Sequence, residues 1–372
     1  AARALVEAGR EAVLVDDDPD GVVGAPLPVE RPDEIDLEGC DAIIRSPGVG
    51  GGHPVLQLAH ERAIPIWSEV ELGYRLLPPG ARVIGITGTN GKTTTTELVG
   101  AMLRAAGLPH VVCGNVGTAL SEVAPHLPEG GIVVCELSSF QLEDIHALRC
   151  DAAALTNITP DHLDRHGSIE EYQRVKLRIF ETQRAGDVAV LNDDDPCCRG
   201  LRRLPGDGDV VRVEPADADR LGFRESRLRG DHNRANVAVA AALARAVGAS
   251  DEAIAAAVRS FEPVPHRLED CGTVGGVRLW NDSKATNVDA TAKALTAFTG
   301  EPVRLILGGS DKGADFGPLA ARVGDAIVRA YVTGPAGTRI ADALDEHGVE
   351  AVRCAGFDDA VRRAVAEAAP RL

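Results

Sequence analysis

Lysine is scarce in this chain, which has 39 basic residues of which five are lysine and 34 are arginine. A lysine ammonium is a compact point charge, and its amine can lose a proton and react, whereas arginine stays protonated. We therefore expect phosphate binding or amine chemistry where lysine is kept in loops and motif-like segments. There are four such lysines, in GITGTNGKTT, YQRVKLRIF, NDSKATN and GGSDKGADF: Lys92, Lys176, Lys284 and Lys312. The fifth, Lys293, lies in a helix-like run and is expected at the surface.

The segment GITGTNGKTT (85–94) lies between a strand-like run and a helix-like run. Backbone N–H groups of a glycine-rich loop at the start of a helix bind phosphate oxygens. Lys92 can then reach the outer phosphates of a nucleotide, and the Thr93 hydroxyl can bind Mg²⁺. The general phosphate-loop pattern requires a glycine where Ile86 stands, so a tight structural turn remains the alternative.

Acidic and histidine side chains follow two other strand-like runs. Glu136 is the next-to-last residue of IVVCEL (132–137), and TNITPDHLDRHG (156–167) follows the run that begins at Ala152. Ligands of open α/β sheets bind beyond the carboxyl ends of the strands, and carboxylates suit Mg²⁺. Taken alone, a glutamate at a strand end is more often solvated, and a histidine more often caps a helix. The side chains of the second segment that could hold a metal are Asp161, His162, Asp164 and His166.

Lys176 lies in an amphipathic helix-like segment, EEYQRVKLRIFE (170–181). From this segment alone, a solvated helix charge is the favoured interpretation. The alternative is a lysine whose neutral amine takes up CO₂ to form a carbamate, an anion with two oxygens that can bind Mg²⁺. Arginine cannot react in this way because it stays protonated.

Motifs in the second half of the chain combine charge with turn residues. In LRGDHNRAN, Asn233 and Asn236 begin a helix, where asparagine normally caps but can also bind a base edge through its amide. Arg267 in PHRLE could clamp a phosphate with two hydrogen bonds. Lys284 and Lys312 could anchor a carboxylate, although turn chemistry alone would explain the Gly, Asp and Ser residues around them.

Composition limits the class of protein. A length of 372 residues predicts two to three domains, and a net charge of −17 without a basic stripe argues against nucleic-acid binding. No apolar run approaches a membrane span. The eight cysteines show no zinc-like pairs and no signal peptide precedes them, which predicts reduced thiols and a cytoplasmic protein that binds no membrane.

Strand-like and helix-like runs alternate, which predicts an α/β fold with parallel strands. Helices are predicted at 170–184 and 232–247, and Pro-containing segments at 76–81 and 261–270 mark domain boundaries. The chain opens at Ala1 directly on a helical pattern and stops after a helix, so we expect its first and last domains to be cut short. Strands are predicted at EAVLV, DAIIR, RVIGIT, IVVCEL, AAALTNI, DVAVLN, GVRLWN, VRLILGG, AYVTG and EAVRC.

Taken in order, the motifs resemble those of the Mur ligase family. The glycine-rich loop is similar to that family's ATP loop, and NDSKATN is the most discriminating segment because sister ligases and folylpolyglutamate synthetases differ there. The resemblance runs from residue 11 to about residue 360. The other matching motifs are SSFQL, NxTxDHLDRHG, KLRIFE, LxGxHNxxN and PHRxE.

The resemblance implies three domains: a partial Rossmann-like domain for the UDP-substrate (1–79), a central P-loop ATPase-type α/β domain (80–266) and an incomplete Rossmann-like domain for the amino acid (267–372). It implies an ATP-dependent ligase that adds D-glutamate to UDP-N-acetylmuramoyl-L-alanine through an acyl phosphate, in peptidoglycan precursor synthesis. It further implies two Mg²⁺ ions, a CO₂-derived carbamate on Lys176 and a monomer.

The resemblance also assigns the residues. Those implied for catalysis are Lys92, Glu136, His162 and Lys176. Those implied for Mg²⁺ are Thr93, Glu136, His162 and carbamylated Lys176. Those implied for ATP are Gly88, Thr89, Asn90, Gly91, Lys92, Thr93, Thr94, Asn233, Asn236, Arg267 and Asp282. Those implied for the D-glutamate side are Lys284, Thr286 and Lys312, and those for the UDP-sugar substrate are Asp16, Ser46 and Asn115, with Ser138 as a further substrate contact.

Two of the family's substrate-binding segments, a first glycine-rich loop and a closing strand with its loop, have no counterpart here. We therefore expect the chain to bind nucleotide but to be a poor ligase. Two alternatives stay open: a related ligase for another amino acid, and an inactive nucleotide-binding relative. An assay of ADP release with a panel of amino acids would identify a related ligase for another amino acid. Mg²⁺-dependent ATP hydrolysis that is lost in Lys92→Ala would exclude an inactive relative.

Overall fold

The computed structural model describes residues 1–310, 314–323 and 327–368. The chain divides into two compact units, Ala1–Arg224 with Ala235–Arg259, and Glu225–Arg234 with Ser260–Leu372. Both units alternate helices with parallel strands, so the predicted α/β class is confirmed. Among the residues described, no helix is both long enough and apolar enough to cross a membrane.

The amino-terminal part of the first unit contains short strands that pair in parallel. The first strand pairs with the second and the third with the fourth. A small core of Leu56, Ala59 and Ile66 packs against Ile43 of the third strand. The first predicted strand is shorter than EAVLV, because only its last two residues pair. The elements are α1 (Ala2–Glu7), β1 (Leu14–Val15), β2 (Val29–Glu30), β3 (Ile43–Arg45), α2 (Pro54–Glu61), β4 (Ile66–Ser68) and α3 (Glu69–Arg75).

The main body of the first unit is a six-stranded, all-parallel sheet. Its elements are β5 (Arg82–Thr87), α4 (Lys92–Ala105), β6 (His110–Gly114), α5 (Leu120–Val123), β7 (Ile132–Glu136), α6 (Ser139–Leu142), β8 (Ala152–Leu155), α7 (Leu163–His166), α8 (Ile169–Leu177), β9 (Val188–Asn192), α9 (Pro196–Gly200), β10 (Asp209–Val213), α10 (Asp231–Ala246) and α11 (Asp251–Ser260). The strand order is β10-β9-β8-β5-β7-β6. The first four residues of α10 belong to the second unit.

The three strands in the middle of this sheet, β8, β5 and β7, are almost entirely buried. Parallel strands covered on both faces read as continuous apolar runs, as RVIGIT and IVVCE do. Because the three run in parallel, their carboxyl ends meet at one edge of the sheet. The loops that leave this edge carry the glycine-rich segment, the SSFQL segment and the DHLDRH segment.

Two strands of the six-stranded sheet and the end of one helix differ from the sequence-based predictions, and the short strands β2 and β4 were not predicted either. The outer strands β6 and β10 were not predicted; β10 is largely exposed and carries Asp209 and Arg212, so it lacks an apolar run. The helix predicted at 170–184 ends at Leu177, and a 3₁₀ turn, Arg178–Phe180, follows it. The Arg178 side chain donates to main-chain oxygens of the segment after α6, which favours this turn over a longer helix.

The carboxylate of Glu71 in helix α3 binds the segment that follows α6. The fully buried Glu71 accepts hydrogen bonds from the backbone N–H groups of His146, Ala147 and Leu148, at 2.8–2.9 Å, and from Arg75 Nε at 2.8 Å. The Arg75 guanidinium also lies over the Trp67 ring, 4.1 Å from its centroid. Glu71 thus satisfies three main-chain donors that would otherwise be buried without partners.

The second unit begins with a hairpin whose second strand was predicted at GVRLWN and whose first strand was not predicted. The antiparallel pair β11 and β12 precedes a parallel sheet of order β13-β14-β15; β11 contains Asp270 and Gly272 and is mostly exposed. Trp280 in β12 lies between the guanidinium groups of Arg229 and Arg278, 4.9 and 4.8 Å from its ring centroid. The elements are β11 (Glu269–Val274), β12 (Val277–Asn281), α12 (Val288–Leu295), β13 (Val303–Gly308), α13 (Gly317–Val323), β14 (Ile327–Thr333), α14 (Gly337–Glu346), β15 (Ala351–Arg353) and α15 (Phe357–Ala368).

Candidate active site

The glycine-rich loop leaves β5 and enters α4 through two positions that require glycine. Gly88 has φ +147°, and a Cβ there would lie 1.9 Å from Thr156 Oγ1. Gly91, at the start of α4, has φ +85°, and a Cβ there would lie 2.3 Å from Asn236 Oδ1. Left-handed backbone and close approach together exclude larger residues. The loop is therefore more than a tight turn, because its path is set by contacts with two other segments.

The loop is held against the segment that follows β8. The N–H groups of Thr89 and Asn90 donate to the backbone and side-chain oxygens of Asn157, each at 2.9 Å. Thr156 Oγ1 donates to Asn90 O at 2.7 Å. No role for Thr156 or Asn157 was predicted from the TNITP segment. A fixed loop loses less conformational entropy when it binds a phosphate.

Two lysines share one carbonyl of this loop. Lys92 Nζ donates to Gly88 O at 2.9 Å and to Thr89 O at 2.8 Å. Lys176 Nζ donates to the same Gly88 O at 2.8 Å and lies 4.7 Å from the centroid of the Tyr172 ring. Both ammonium groups therefore lie at the position where a glycine-rich loop would receive phosphate.

Lys176 is 1% exposed, so the solvated-charge interpretation of its segment is wrong. Helix α8 turns Tyr172, Val175 and Lys176 inward. The pKa of Lys176 is well below its ordinary value, mainly because burial disfavours the ammonium and then because Lys92 is near; Asp161 and Glu136 oppose the shift. An amine with a lowered pKa is more often neutral, which is the state that reacts with CO₂.

Glu136 ends β7 and is 2% exposed. Its Oε1 accepts a hydrogen bond from Asn115 Nδ2 at 2.9 Å, whereas its buried Oε2 has no hydrogen-bond partner among the described residues. A buried carboxylate oxygen left unpaired is costly, and a divalent cation would satisfy it. The residues present therefore fit an Mg²⁺ ion at the end of β7.

The histidine-rich segment contributes one exposed ring. His162 has φ +52° at the start of α7, and its side chain is 43% exposed. His166 is buried instead, and its ring stacks on that of Phe140 with centroids 5.6 Å apart. The distance from His166 Nε2 to Ser139 Oγ is 3.0 Å. Burial lowers the pKa of His166. Within the described part of the chain, no group of three His, Cys, Asp or Glu residues is spaced to hold a metal, so the four candidates of this segment do not form a metal cluster.

The remaining candidates of the first unit lie on loops or are buried in α4. Ser138 caps α6 in a reciprocal capping box with Gln141. Thr93 and Thr94 are buried in the first turn of α4. Asp16 and Ser46 are exposed and follow β1 and β3 directly.

The candidates of the second unit lie on two adjoining segments and on the first turn of α10. Asn233 Nδ2 donates to Arg229 O at 2.8 Å. Asp282 accepts from the N–H of Leu268 at 3.0 Å, and burial raises the pKa of Asp282, although Arg267 opposes the shift. The exposed residues here are Lys284 and Thr286; Lys312 lies outside the described residues.

Known proteins resemble this chain over most of its length. Residues 86–212 match the Mur ligase middle domain and residues 266–371 match the Mur ligase, glutamate ligase domain. A UDP-N-acetylmuramoylalanine--D-glutamate ligase of Desulfitobacterium hafniense is 41% identical over 352 residues, 89% of this chain and 77% of that protein. The enzyme of the same name from Rubrobacter xylanophilus is 42% identical over 385 residues, 100% of this chain and 84% of that protein.

Solved structures share the fold at lower identity. MurF of Acinetobacter baumannii has a TM-score of 0.63 and 18% identity, over 77% of this chain and 70% of that one. The bifunctional folylpolyglutamate synthase/dihydrofolate synthase of Yersinia pestis has a TM-score of 0.58 and 19% identity, over 87% of this chain and 94% of that one. The glycine-rich loop, the buried lysine and the carboxylate at the end of β7 all lie in the part of the chain that matches the Mur ligase middle domain. Because relatives of about 40% identity also match nearly the whole chain, the chain belongs to the Mur ligase family.

Proposed function

We propose that this chain is an ATP-dependent ligase that joins D-glutamate to UDP-N-acetylmuramoyl-L-alanine in peptidoglycan precursor synthesis. An oxygen of the substrate carboxylate attacks the γ-phosphorus of ATP, and ADP leaves. The D-glutamate nitrogen then attacks the carbonyl carbon of the acyl phosphate and loses a proton, and inorganic phosphate leaves. Relatives of about 40% identity over nearly the whole chain carry this activity in their names.

The observation that carries the proposal is the buried Lys176 at the glycine-rich loop, with its Nζ 2.8 Å from Gly88 O. A buried amine in its neutral form can add CO₂ and lose a proton, which gives a carbamate, a group with one negative charge shared by two oxygens. With the unpaired Glu136 Oε2, these oxygens would supply an oxygen donor set suited to Mg²⁺. We therefore include carbamylation of Lys176 in the proposal.

Phosphoryl transfer depends on positioning and charge neutralisation. Lys92 would exchange its bonds to Gly88 O and Thr89 O for phosphate oxygens, and the N–H groups of 88–94 would bind phosphate. Mg²⁺, when bound, neutralises phosphate charge. Two Mg²⁺ ions would be held by Thr93, Glu136, His162 and carbamylated Lys176. The nucleotide would be held further by Asn233, Asn236, Arg267 and Asp282.

The substrate residues complete the proposal. Lys284, Thr286 and Lys312 would bind D-glutamate in the last domain (267–372). Asp16, Ser46, Asn115 and Ser138 would bind the UDP-sugar substrate, with 1–79 as its domain and 80–266 as the ATP domain. We further propose that the enzyme is a cytoplasmic monomer.

An amino-acid panel tests the function. With ATP, Mg²⁺ and UDP-N-acetylmuramoyl-L-alanine, ADP release should require D-glutamate and should stay at background with L-glutamate, L-lysine or meso-diaminopimelate. Equal or greater release with another amino acid would favour a related ligase. Absence of Mg²⁺-dependent ATP turnover under every condition, with nucleotide still bound, would favour the inactive relative.

The carbamate is tested separately with Lys176→Ala. ADP release should fall by about 100-fold or more, as for loss of a group that stabilises transition-state charge, and a short-chain carboxylate should partly restore it. Lys293→Ala, which removes a lysine paired with Asp289, should keep wild-type activity without rescue. Unchanged activity in unrescued Lys176→Ala would remove Lys176 from the mechanism.

A further inference from the structure

Three charged residues, Arg45, Glu143 and Arg165, join separate segments of the first unit. We call these three residues the Glu143 clamp. Arg165 Nε and Nη2 donate to the two carboxylate oxygens of Glu143 at 3.3 and 2.7 Å. Arg45 donates to the same carboxylate, and its Nε lies 2.6 Å from Asp144 Oδ2. One carboxylate thus binds an arginine from β3 and an arginine from α7.

The clamp is partly buried, so its pairing is more than a surface contact. The side chains of Arg45, Arg165 and Glu143 are 8%, 22% and 20% exposed. Burial alone would raise the pKa of Glu143, but Arg165 and Arg45 lower it below its usual value. Two-point pairing of guanidinium and carboxylate fixes direction as well as distance, so a shift of one loop strains the other.

One end of the clamp lies on the loop after β3. Arg165 Nη1 donates to Pro47 O at 2.5 Å, and Arg45 is the last residue of β3. Ser46, a proposed contact of the UDP-sugar substrate, lies between these two attachment points. The clamp therefore holds the backbone on both sides of Ser46.

The other end lies on the segment that carries His162. Arg165 N donates to His162 O at 3.1 Å. The Arg165 guanidinium lies 4.2 Å from the centroid of the Phe140 ring, and that ring meets the His162 ring edge-on with centroids 4.9 Å apart. Through the Phe140 ring, the Arg165 side chain thus constrains the imidazole of His162, a residue whose φ of +52° is unfavourable by itself.

We propose that Arg165 is a positioning residue that couples the loop of Ser46 to the placement of His162, so that the UDP-sugar substrate and the Mg²⁺–nucleotide bind with positive cooperativity. The inference rests on the proposed function for the identity of the two ligands. Lysine at this position would keep the charge but lose the paired hydrogen bonds, which separates coupling from electrostatics.

The first test measures coupling by calorimetry. The Kd of a non-hydrolysable ATP analogue with Mg²⁺ is measured with and without saturating UDP-N-acetylmuramoyl-L-alanine in wild type, Arg165→Lys, Glu143→Gln and the control Arg174→Lys. Arg174 forms a comparable pair with the exposed Glu171. We expect the substrate to tighten nucleotide binding by about fivefold or more in wild type and the control, and by less than about twofold in both clamp variants.

The second test needs no UDP-substrate. Hydrogen exchange of residues 46–53 should slow when the Mg²⁺–nucleotide binds to wild type or Arg174→Lys, and should not change in Arg165→Lys. Coupling or protection retained in both clamp variants would overturn the clamp, as would a wild type that binds both ligands without coupling. Failure of wild type to bind the UDP-substrate, with nucleotide-induced protection intact, would instead count against the proposed function and leave the clamp supported.

Discussion

The carbonyl oxygen of Gly88 receives hydrogen bonds from two lysine amines, which concentrates two of the chain's five lysines on one backbone atom. Neither lysine could be replaced by arginine in the proposed chemistry, because one must stay compact at the loop and the other must become neutral. At the scale of single residues, the site therefore depends on side-chain type and on a backbone path that only glycine permits.

Gly91→Ala tests that backbone path. The new Cβ would meet Asn236 Oδ1 at 2.3 Å in a left-handed backbone, so we expect nucleotide affinity to fall by about tenfold or more, equivalent to about 1.4 kcal/mol. Gly107→Ala is the matched control, since Gly107 is also left-handed, at φ +68°, with nothing within 4 Å of a new Cβ. Calorimetry with an ATP analogue should find wild-type affinity in the control; equal losses in both variants would refute the steric argument.

His232 gives a pH-dependent prediction. Burial, and then the nearby Lys293, lower the pKa of His232 from 6.5 to about 4. Above pH 6.5 the imidazole is neutral whether the chain is folded or unfolded. Between pH 6.5 and 4 the unfolded chain gains a proton that the folded chain does not. The free energy of unfolding therefore decreases as the pH is lowered through this range. The loss should reach roughly 3 kcal/mol at about 1.4 kcal/mol per unit.

Urea unfolding at pH 7 and at pH 5 measures the part of this loss that occurs above pH 5, about 2 kcal/mol. His232→Gln should lose less stability than wild type between the two pH values, while His347→Gln, at an exposed position of the same unit, should behave as wild type. An identical pH dependence in His232→Gln and wild type would show that the buried imidazole does not carry it.

The sequence located most of the site but not the environment of its residues. The glycine loop, Glu136 and His162 follow strand-like runs, so their meeting at one sheet edge follows from parallel strands. Lys176 differs, because its own helix segment favoured the surface; only the packing of α8 against the sheet buries it. Arg165 and Glu143 were missed because their pairing joins residues 22 positions apart through tertiary structure.

At the scale of elements, the buried Glu71 fixes α3 to the segment that follows α6. Glu71→Gln should lower the free energy of unfolding by about 3 kcal/mol, because an amide has one acceptor oxygen for three N–H donors and leaves buried donors unpaired. Glu122→Gln, on the exposed side of α5, should change stability by less than about 0.5 kcal/mol. Urea titration checks both, and similar values for the two variants would remove the anchoring role of Glu71.

Element prediction succeeded for buried strands and failed at exposed ones. The runs that form β5, β7, β8 and β9 were predicted because central parallel strands are continuously apolar. The exposed strands β10 and β11 contain charged residues or glycine, so their sequences resemble loops, and their pairing is set by neighbours that are distant along the chain. Of the two strands of the hairpin in the second unit, only β12 was therefore predicted.

At the scale of the whole molecule, the two units have separate cores. The first is built around the six-stranded sheet, and the second around β13 and β14 with α14. The strands of the second unit are less completely buried than those of the first, and less apolar burial gives less stability per residue. We therefore expect the second unit to unfold at a lower urea concentration than the first.

The arginine-stacked tryptophans make this difference observable. The chain has two tryptophans, Trp67 in the first unit and Trp280 in the second, and each lies against a guanidinium group that unfolding would remove. Fluorescence of Trp280→Phe would then follow the first unit and that of Trp67→Phe the second, with superimposable transitions arguing for a single cooperative unit. The protein thus carries one intrinsic optical label per unit, and the same two variants would report which unit a nucleotide or substrate stabilises.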